Sequence, residues 1–273
     1  MINPMIIASF IIPEIMFGFK VRQGWVLKRV LAAVANMGPT ALMEVLPTGL
    51  IFRVTNPAHD MSTILRLNTT AFQQFSCEGA HVLSLNLVRF SSIINSATDD
   101  ENIAICGFDE SSPNVVSFVF VNQNSEDSRN VGIEVEQVEL EHWSAGDEAI
   151  HEFKVCIKSE DFAHIMEYSK LNKEAIHIIM MATMVTLNSG YEILNLRKEY
   201  EECIIENVPI GTRHHLELYI NRLDSFLLAS LLTSAVWIHD SHSRSHAGPF
   251  LEFPLTSGFG KLLIFLPQPF VIS

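Results

Sequence analysis

The chain states one plan twice, and that repetition constrains its fold more than any single residue does. An amphipathic helix pattern begins near Trp25 and another near Ser159; a second begins near Asn86 and another near Asn221. A turn followed by an alternating strand stands at residues 48–54 and again at 182–188. The three pairs share an offset of about 134–135 positions, and a fixed offset is how a duplicated supersecondary unit shows in sequence. Two similar halves follow, each of helix, strands, helix, strands.

The first helix is expected over residues 24–37. Val26, Leu27, Val30, Leu31 and Val34 form its apolar face, and Gly38-Pro39 stops it. Alternating runs on either side of Pro47-Thr48-Gly49 read as a hairpin, with further strands at 61–68, 73–77 and 82–85. The second helix, 86–97, is expected to bury Leu87, Phe90, Ile93 and Ile94. Strands follow at 102–108, 115–122 and 131–138, with a polar turn over 122–130. Acidic residues 139–148, ELEHWSAGDE, are the best linker candidate. In the second half, Phe162, Ile165 and Met166 mark one helix and Leu223, Phe226, Leu227 and Leu231 the other, among strands at 175–181, 184–188, 191–197, 248–255 and 261–266. This divides the chain into an N-terminal extension (1–15), a first domain (16–138), a connecting loop (139–148) and a second domain (149–273).

The 273 residues carry 18 Lys+Arg against 31 Asp+Glu, a net charge of −13. A uniformly acidic surface repels nucleic acid and anionic membrane, so a nucleic-acid role must rest on locally clustered basic side chains. The apolar start is broken by Pro4, Pro13 and Glu14 and is too short to span a bilayer. Cys77, Cys106, Cys156 and Cys203 are widely spaced and read as reduced thiols. No phosphate-binding loop, dinucleotide fingerprint, nucleophile elbow or zinc-protease motif occurs. His239, His242 and His246 lie in a Ser-rich stretch that reads as a solvated hairpin loop rather than a metal site. The adjacent His214 and His215 point to opposite sides of a strand. No active site, metal or cofactor is expected, and the chain is not expected to be an enzyme.

The runs GWVLKRVLAAV, GLIFRVTNPAHDMSTILRL and AFQQFSCEGAHVLSLNLVRFSSIINSA, then FKVCIKSEDFAHIMEYSK and SGFGKLLIFLP, resemble the proliferating cell nuclear antigen family of eukaryotic sliding clamps. The resemblance covers nearly everything after residue 15. It rests on order and spacing together with Gly24, Leu27, Lys28, Gly49, His59, Phe72, Cys77, Asn86, Leu87 and Gly260. It implies an α+β DNA clamp fold, with two similar domains of two helices each on antiparallel sheets, and assembly into a ring. Subunits would join head to tail through residues 130–136 of one and 191–198 of the next, as a homotrimer or heterotrimer. Double-stranded DNA would pass through without being read in sequence. Lys28, Arg29, Arg89, His164, Lys170 and Arg222 are the implied DNA contacts. Ser92, Asn95, Asn221 and Leu228 stand where the family is usually basic, so the channel would be weakly basic.

The resemblance also implies a pocket for peptide-motif proteins at Thr55, Val138, Leu140, Trp143, Phe265, Leu266 and Pro267. DNA polymerase and a clamp loader would be partners and the nucleus the location, with no membrane association. A subunit of the heterotrimeric DNA-damage checkpoint clamp is the alternative role. A small-ligand-binding protein or enzyme on duplicated sheets is a third, and it would need a cluster of convergent polar groups that the sequence lacks.

Overall fold

A computed structural model of the chain describes residues 16–21, 24–55, 62–98, 101–107, 114–122, 124–125, 127–138, 153–218, 223–240 and 249–266. Leu140, Trp143, Arg222, Pro267, His59, His242 and His246 lie outside the described residues.

In the first half, strand β1 (Phe17–Val21) leads into helix α1 (Gly24–Ala35). Strands β2 (Thr40–Leu46), β3 (Gly49–Thr55), β4 (Ser62–Asn68), β5 (Phe72–Cys77) and β6 (His81–Asn86) follow. Then come helix α2 (Leu87–Asn95) and strands β7 (Glu101–Gly107), β8 (Val115–Asn122), β9 (Ser128–Glu134) and the short β10 (Glu136–Gln137). The second half begins with β11 (Phe153–Lys158) and α3 (Ser159–Asn172). It continues through β12 (Ile176–Met180), β13 (Met184–Ser189), β14 (Glu192–Arg197), β15 (Cys203–Glu206) and β16 (His214–Leu218). Helix α4 (Leu223–Ser230) and strands β17 (Ala235–Asp240), β18 (Phe250–Pro254) and β19 (Gly260–Phe265) end it. Equivalent elements begin at Gly24 and Ser159, Gly49 and Met184, and Leu87 and Leu223, offsets of 135, 135 and 136.

Topology repeats with the sequence. The first half has the strand orders β5-β1-β7-β8-β9 and β6-β2-β3-β4; the second has β15-β11-β17-β18-β19 and β16-β12-β13-β14. The halves are joined where β4 pairs with β19, from Gly260 opposite Leu67 to Phe265 opposite Ser62. That joint fuses two of the sheets into one of ten strands, with β10 added at its β6 edge and β15 at the other. The backbones approach closely there. Gly260 has φ +147°, and a Cβ on it would fall 1.9 Å from the Arg66 carbonyl oxygen, so only glycine fits. Beyond it, the Asn68 N–H donates to Phe259 O at 2.8 Å, and Asn68 Nδ2 and Thr70 Oγ1 each donate to Gly258 O at 3.1 Å.

The helices form where 3.6-residue periodicity supplies a buried stripe. On α1 this is Leu27, Val30, Leu31 and Val34, all 5% exposed or less. Asn86 caps α2 by accepting the Arg89 N–H at 2.9 Å. Helix α1 packs on α2, α3 on α4, and α1 on α4, giving one row in the order α2-α1-α4-α3.

Several boundaries differ from the sequence reading. The expected strand at 131–138 starts earlier, at Ser128, and breaks at Val135, one residue beyond Glu134, which lies opposite Val115 where the partner strand β8 begins. Ile93 is half-buried rather than buried. Leu231 lies past the end of α4 and is 67% exposed, because that helix stops at Ser230. His239 belongs to β17 rather than to a loop: it is 9% exposed, stacks on Phe250 and sits 3.2 Å from Glu252. His214 is buried and His215 exposed, as strand alternation requires. All four cysteines are free thiols; Cys156 and Cys203 are buried, Cys77 and Cys106 half-buried.

Candidate nucleic-acid interface and docking face

The solvent side of the helix row holds five of the six expected DNA contacts. Arg29, Arg89, His164 and Lys170 are exposed and Lys28 is half-buried. Lys28 Nζ donates to Ala97 O at 2.5 Å, just past the end of α2, so it ties α1 to α2 while keeping its charge. The Arg89 guanidinium has no partner among the described residues, whereas Lys170 forms an ion pair with Asp224 across α3 and α4. His164 Nε2 lies 3.2 Å from Glu192 Oε1. Helices α1 and α2 carry Lys28, Arg29 and Arg89 with no acidic residue; α3 and α4 carry Lys170 against Glu160, Asp161, Glu167 and Asp224. The formal charges are thus +3 and −3, a difference that summing charge over the whole chain hides.

Arg129, which the sequence reading passed over, holds the end of α2. From β9 it donates to both Glu101 oxygens, at 2.9 and 3.0 Å, and to Ser96 Oγ and O at 3.2 and 3.0 Å. Its guanidinium also lies 3.8 Å from the centre of the Phe120 ring. The hydrogen bonds from Arg129 and from the Thr98 N–H pull the Glu101 carboxyl down to about 2. A bidentate Arg–Glu pair on strands facing a helix end leaves no short-range sequence signal.

On the outer face of the ten-stranded sheet, Thr55, Ser62, Phe265 and Phe250 fall in one cross-strand row. The structure therefore brings Thr55 and Phe265 together, flanking β4. Phe265 is half-buried against a cluster formed by Ile64, Phe250 and Leu263, and Ile51 joins it. Leu266 is buried, and its N–H donates to Pro249 O at 2.8 Å. Val138 lies apart, beyond β10, with its N–H on Val82 O at 3.0 Å. Ile64, Phe250 and Leu263 were not singled out from sequence, although a strand with apolar residues at outward as well as inward positions is the available signal. Beside the cluster, His239 at 3.2 Å and Lys261 at 3.8 Å surround Glu252. Although burial raises it, these neighbours and the His239 hydrogen bond hold the Glu252 carboxyl below its ordinary range. No group of three or more His, Cys, Asp or Glu side chains converges as a metal site among the described residues. No described helix is long and apolar enough to cross a membrane.

Two repeated halves, each with two helices on antiparallel sheets, define the α+β fold of a DNA clamp. Residues 16–142 match the family model of the proliferating cell nuclear antigen N-terminal domain. The proliferating cell nuclear antigen of Dictyostelium discoideum is 22% identical over 179 residues, 65% of this chain and 64% of that protein. Over these residues the chain is similar to that family, and the match spans a little under two-thirds of the relative's length.

Proposed function

We propose that the chain is a subunit of a ring that encircles duplex DNA and tethers DNA polymerase and other factors to it without chemistry of its own. The observation that carries this reading is the β4–β19 joint. By the repeated topology, β14 is equivalent to β4 and β9 to β19, and both are the outer strands of their sheets. A second copy can therefore repeat between molecules the joint already made within one, β14 against β9, and continued head-to-tail repetition closes a ring. Closure also removes exposed sheet edges.

The register follows by equivalence. Gly49 opposite Asn68 corresponds to Met184 opposite Arg197, so Ile64 is equivalent to Ile193 and Ser62 to Tyr191. Ser117 opposite Gly132 corresponds to Phe250 opposite Phe265, so Leu263 is equivalent to Asn130. The internal pair Ser62–Phe265 thus becomes Tyr191–Gly132 between copies. Large and small side chains exchange places and total volume is kept, which supports a homotrimer. Ile64–Leu263 becomes Ile193–Asn130, a poorer apolar match, and this favours the second reading, a subunit of a heterotrimeric checkpoint clamp.

In either ring the helix row faces the duplex. Lys28, Arg29, Arg89, His164, Lys170 and Arg222 are its candidate contacts, touching phosphates without reading bases. Partner peptides dock on the outer face at Thr55, Val138, Leu140, Trp143, Phe265, Leu266 and Pro267, with Phe265 anchored in the apolar cluster. A nuclear location follows from the same role. Sedimentation of the purified chain tests the assembly: a trimer supports the homotrimer, and a monomer supports the heterotrimer. Stimulation of a DNA polymerase on a primed circle tests the function. A chain that stays on linear and closed DNA equally well, without encircling either, removes the reading.

A further inference from the structure

We infer that His177 and His215 form a two-imidazole binding site for a divalent transition-metal ion of the zinc, copper or nickel type. The site lies on the face of the second-half sheet turned away from the helices: His177 stands between Ile176 and Ile178, which are fully buried in the core with Phe162 and Ile165 of α3. His177 is half-buried and His215 exposed. The inference does not need the ring proposed above. The pair lies on β12 and β16, at the far end of the order β14-β13-β12-β16 from the joining edge β14, so assembly would leave it open.

Neutral imidazole nitrogens suit zinc, copper and nickel, whereas calcium and magnesium take oxygen ligands. His177 Nδ1 and His215 Nε2 face each other at 3.2 Å, with the rings 17° from parallel. Two nitrogens bound to one tetrahedral zinc at about 2.0–2.1 Å stand about 3.3–3.4 Å apart, so the pair already has the bite of a chelate. Bound through these atoms, each ring keeps its proton on the other nitrogen, and the hydrogen bond between the rings gives way to the ion. Strand register explains the meeting. His177 is opposite Glu217, which lies two residues from His215 on the same face of β16, and diagonal neighbours across a ladder are within reach of long side chains. Glu217 adds an exposed carboxylate beside the pair, which favours a cation. On the other side, Asn188 of β13 is opposite His177, and its Oδ1 is buried without a hydrogen-bond partner among the described residues. An orphaned acceptor in the same row calls for a donor, and a metal-bound water is one. By the repeat, His177 and His215 are equivalent to Leu42 and Val82, and Asn188 to Arg53. There the apolar pair needs no ligand, and Arg53 is paired with Glu44. The second half has exchanged hydrocarbon for imidazole and left an oxygen unmatched. With two imidazoles as protein ligands, water completes the coordination and binding is reversible.

The test is equilibrium dialysis of zinc chloride against the full chain, with magnesium chloride as the hard-cation control. His177→Ala and His215→Ala should each weaken zinc binding by more than about tenfold, since even partners outside the coordination sphere are worth that much. Magnesium uptake should be the same in the wild type and both variants. His242→Ala and His246→Ala made together should leave zinc binding unchanged. Both sheet positions face outward, so the denaturation midpoint of the metal-free chain should not move. On the unaltered chain, zinc should protect His177 and His215 from acylation by diethyl pyrocarbonate, read by peptide mass spectrometry, and this measurement does not depend on a variant folding. A wild type that binds no zinc, variants that bind it as tightly as the wild type, or equal acylation of the two rings with and without zinc would each overturn the site. None of these outcomes touches the clamp reading, which polymerase stimulation on a primed circle decides separately.

Discussion

Ile64 and Ile193 occupy equivalent places in the two halves, yet one is 7% exposed and the other 55%. Ile64 lies on β4, where β19 covers it with Leu263; Ile193 lies on β14, the last strand of its sheet. The same contrast separates Leu263, 2% exposed, from Asn130 on β9, which is exposed. Duplication therefore produced one joint that is closed within the chain and a matching pair of edges left open. At this pair, residue type has diverged according to which fate each copy met: apolar on both sides where Ile64 meets Leu263 in the closed joint, mixed where Ile193 and Asn130 must also survive in water.

The sharpest way to break this comparison is to cut the same side chain from both places. Ile64→Ala should lower the free energy of unfolding by about 2–4 kcal/mol, because it removes buried methyl groups and leaves a cavity against Phe250 and Leu263. Ile193→Ala should change it by less than about 0.5 kcal/mol, as expected for an exposed position. Denaturant titration reads both. Equal costs would mean that the two edges are not equivalent.

Assembly is expected to reverse the ranking. Ile193→Lys places a charge where a second copy's β9 would cover it, and should raise the dissociation constant of the ring on the order of a hundredfold without loss of monomer stability. Sedimentation velocity over a dilution series measures this. A variant that assembles like the wild type would show that β14 is not a joining edge.

Arg129 sharpens the comparison at an inward position. Its equivalent at the closed joint is Leu262, fully buried. The open edge instead uses an arginine, stacked on Phe120 and held by Glu101. The folded Glu101 carboxyl titrates at about 2 against an ordinary 4.5. The unfolded chain therefore binds this proton first as pH falls, and the stabilisation, full above the ordinary value, is lost between about 4.5 and 2. Glu101→Gln should lower stability at neutral pH and flatten the acid side of the stability profile. A variant that loses stability as steeply as the wild type below pH 4.5 would show that another carboxylate governs that limb.

Much of this was legible in the residues themselves. Both first-half helices and α3 carry stripes wide enough to read, and the offset between halves follows from helix and hairpin starts. Strands β1, β11, β15, β16 and β17 escaped notice as strands. They are short, four to six residues, and three of them, β11, β15 and β17, place Cys156, Ile204 and Trp237 outward, which blurs the two-residue alternation. The closed joint was illegible for a different reason. Which strand covers Ile64 depends on a pairing between residues about 200 positions apart, and no local pattern encodes it. The charge contrast along the helix row was visible residue by residue, but the Lys170–Asp224 and His164–Glu192 pairs need the packing of α3 on α4 and the placement of β14.

The mildest test concerns the exchange of large and small side chains. Gly132 is exposed on β9, and a Cβ there would sit 3.0 Å from Val115 Cγ1, a contact that a small shift of one methyl group relieves. Gly132→Ala should therefore alter chain stability by no more than about 0.5 kcal/mol. If Tyr191, 95% exposed in the single chain, lies over Gly132 of the next copy, the added methyl group intrudes on its ring and weakens assembly a few-fold, whereas Tyr191→Ala in the same background adds little more. A double-mutant cycle read by sedimentation decides this. Additive effects would place Tyr191 and Gly132 out of contact and require another register for the joint, while strong coupling fixes the register that the closed joint implies.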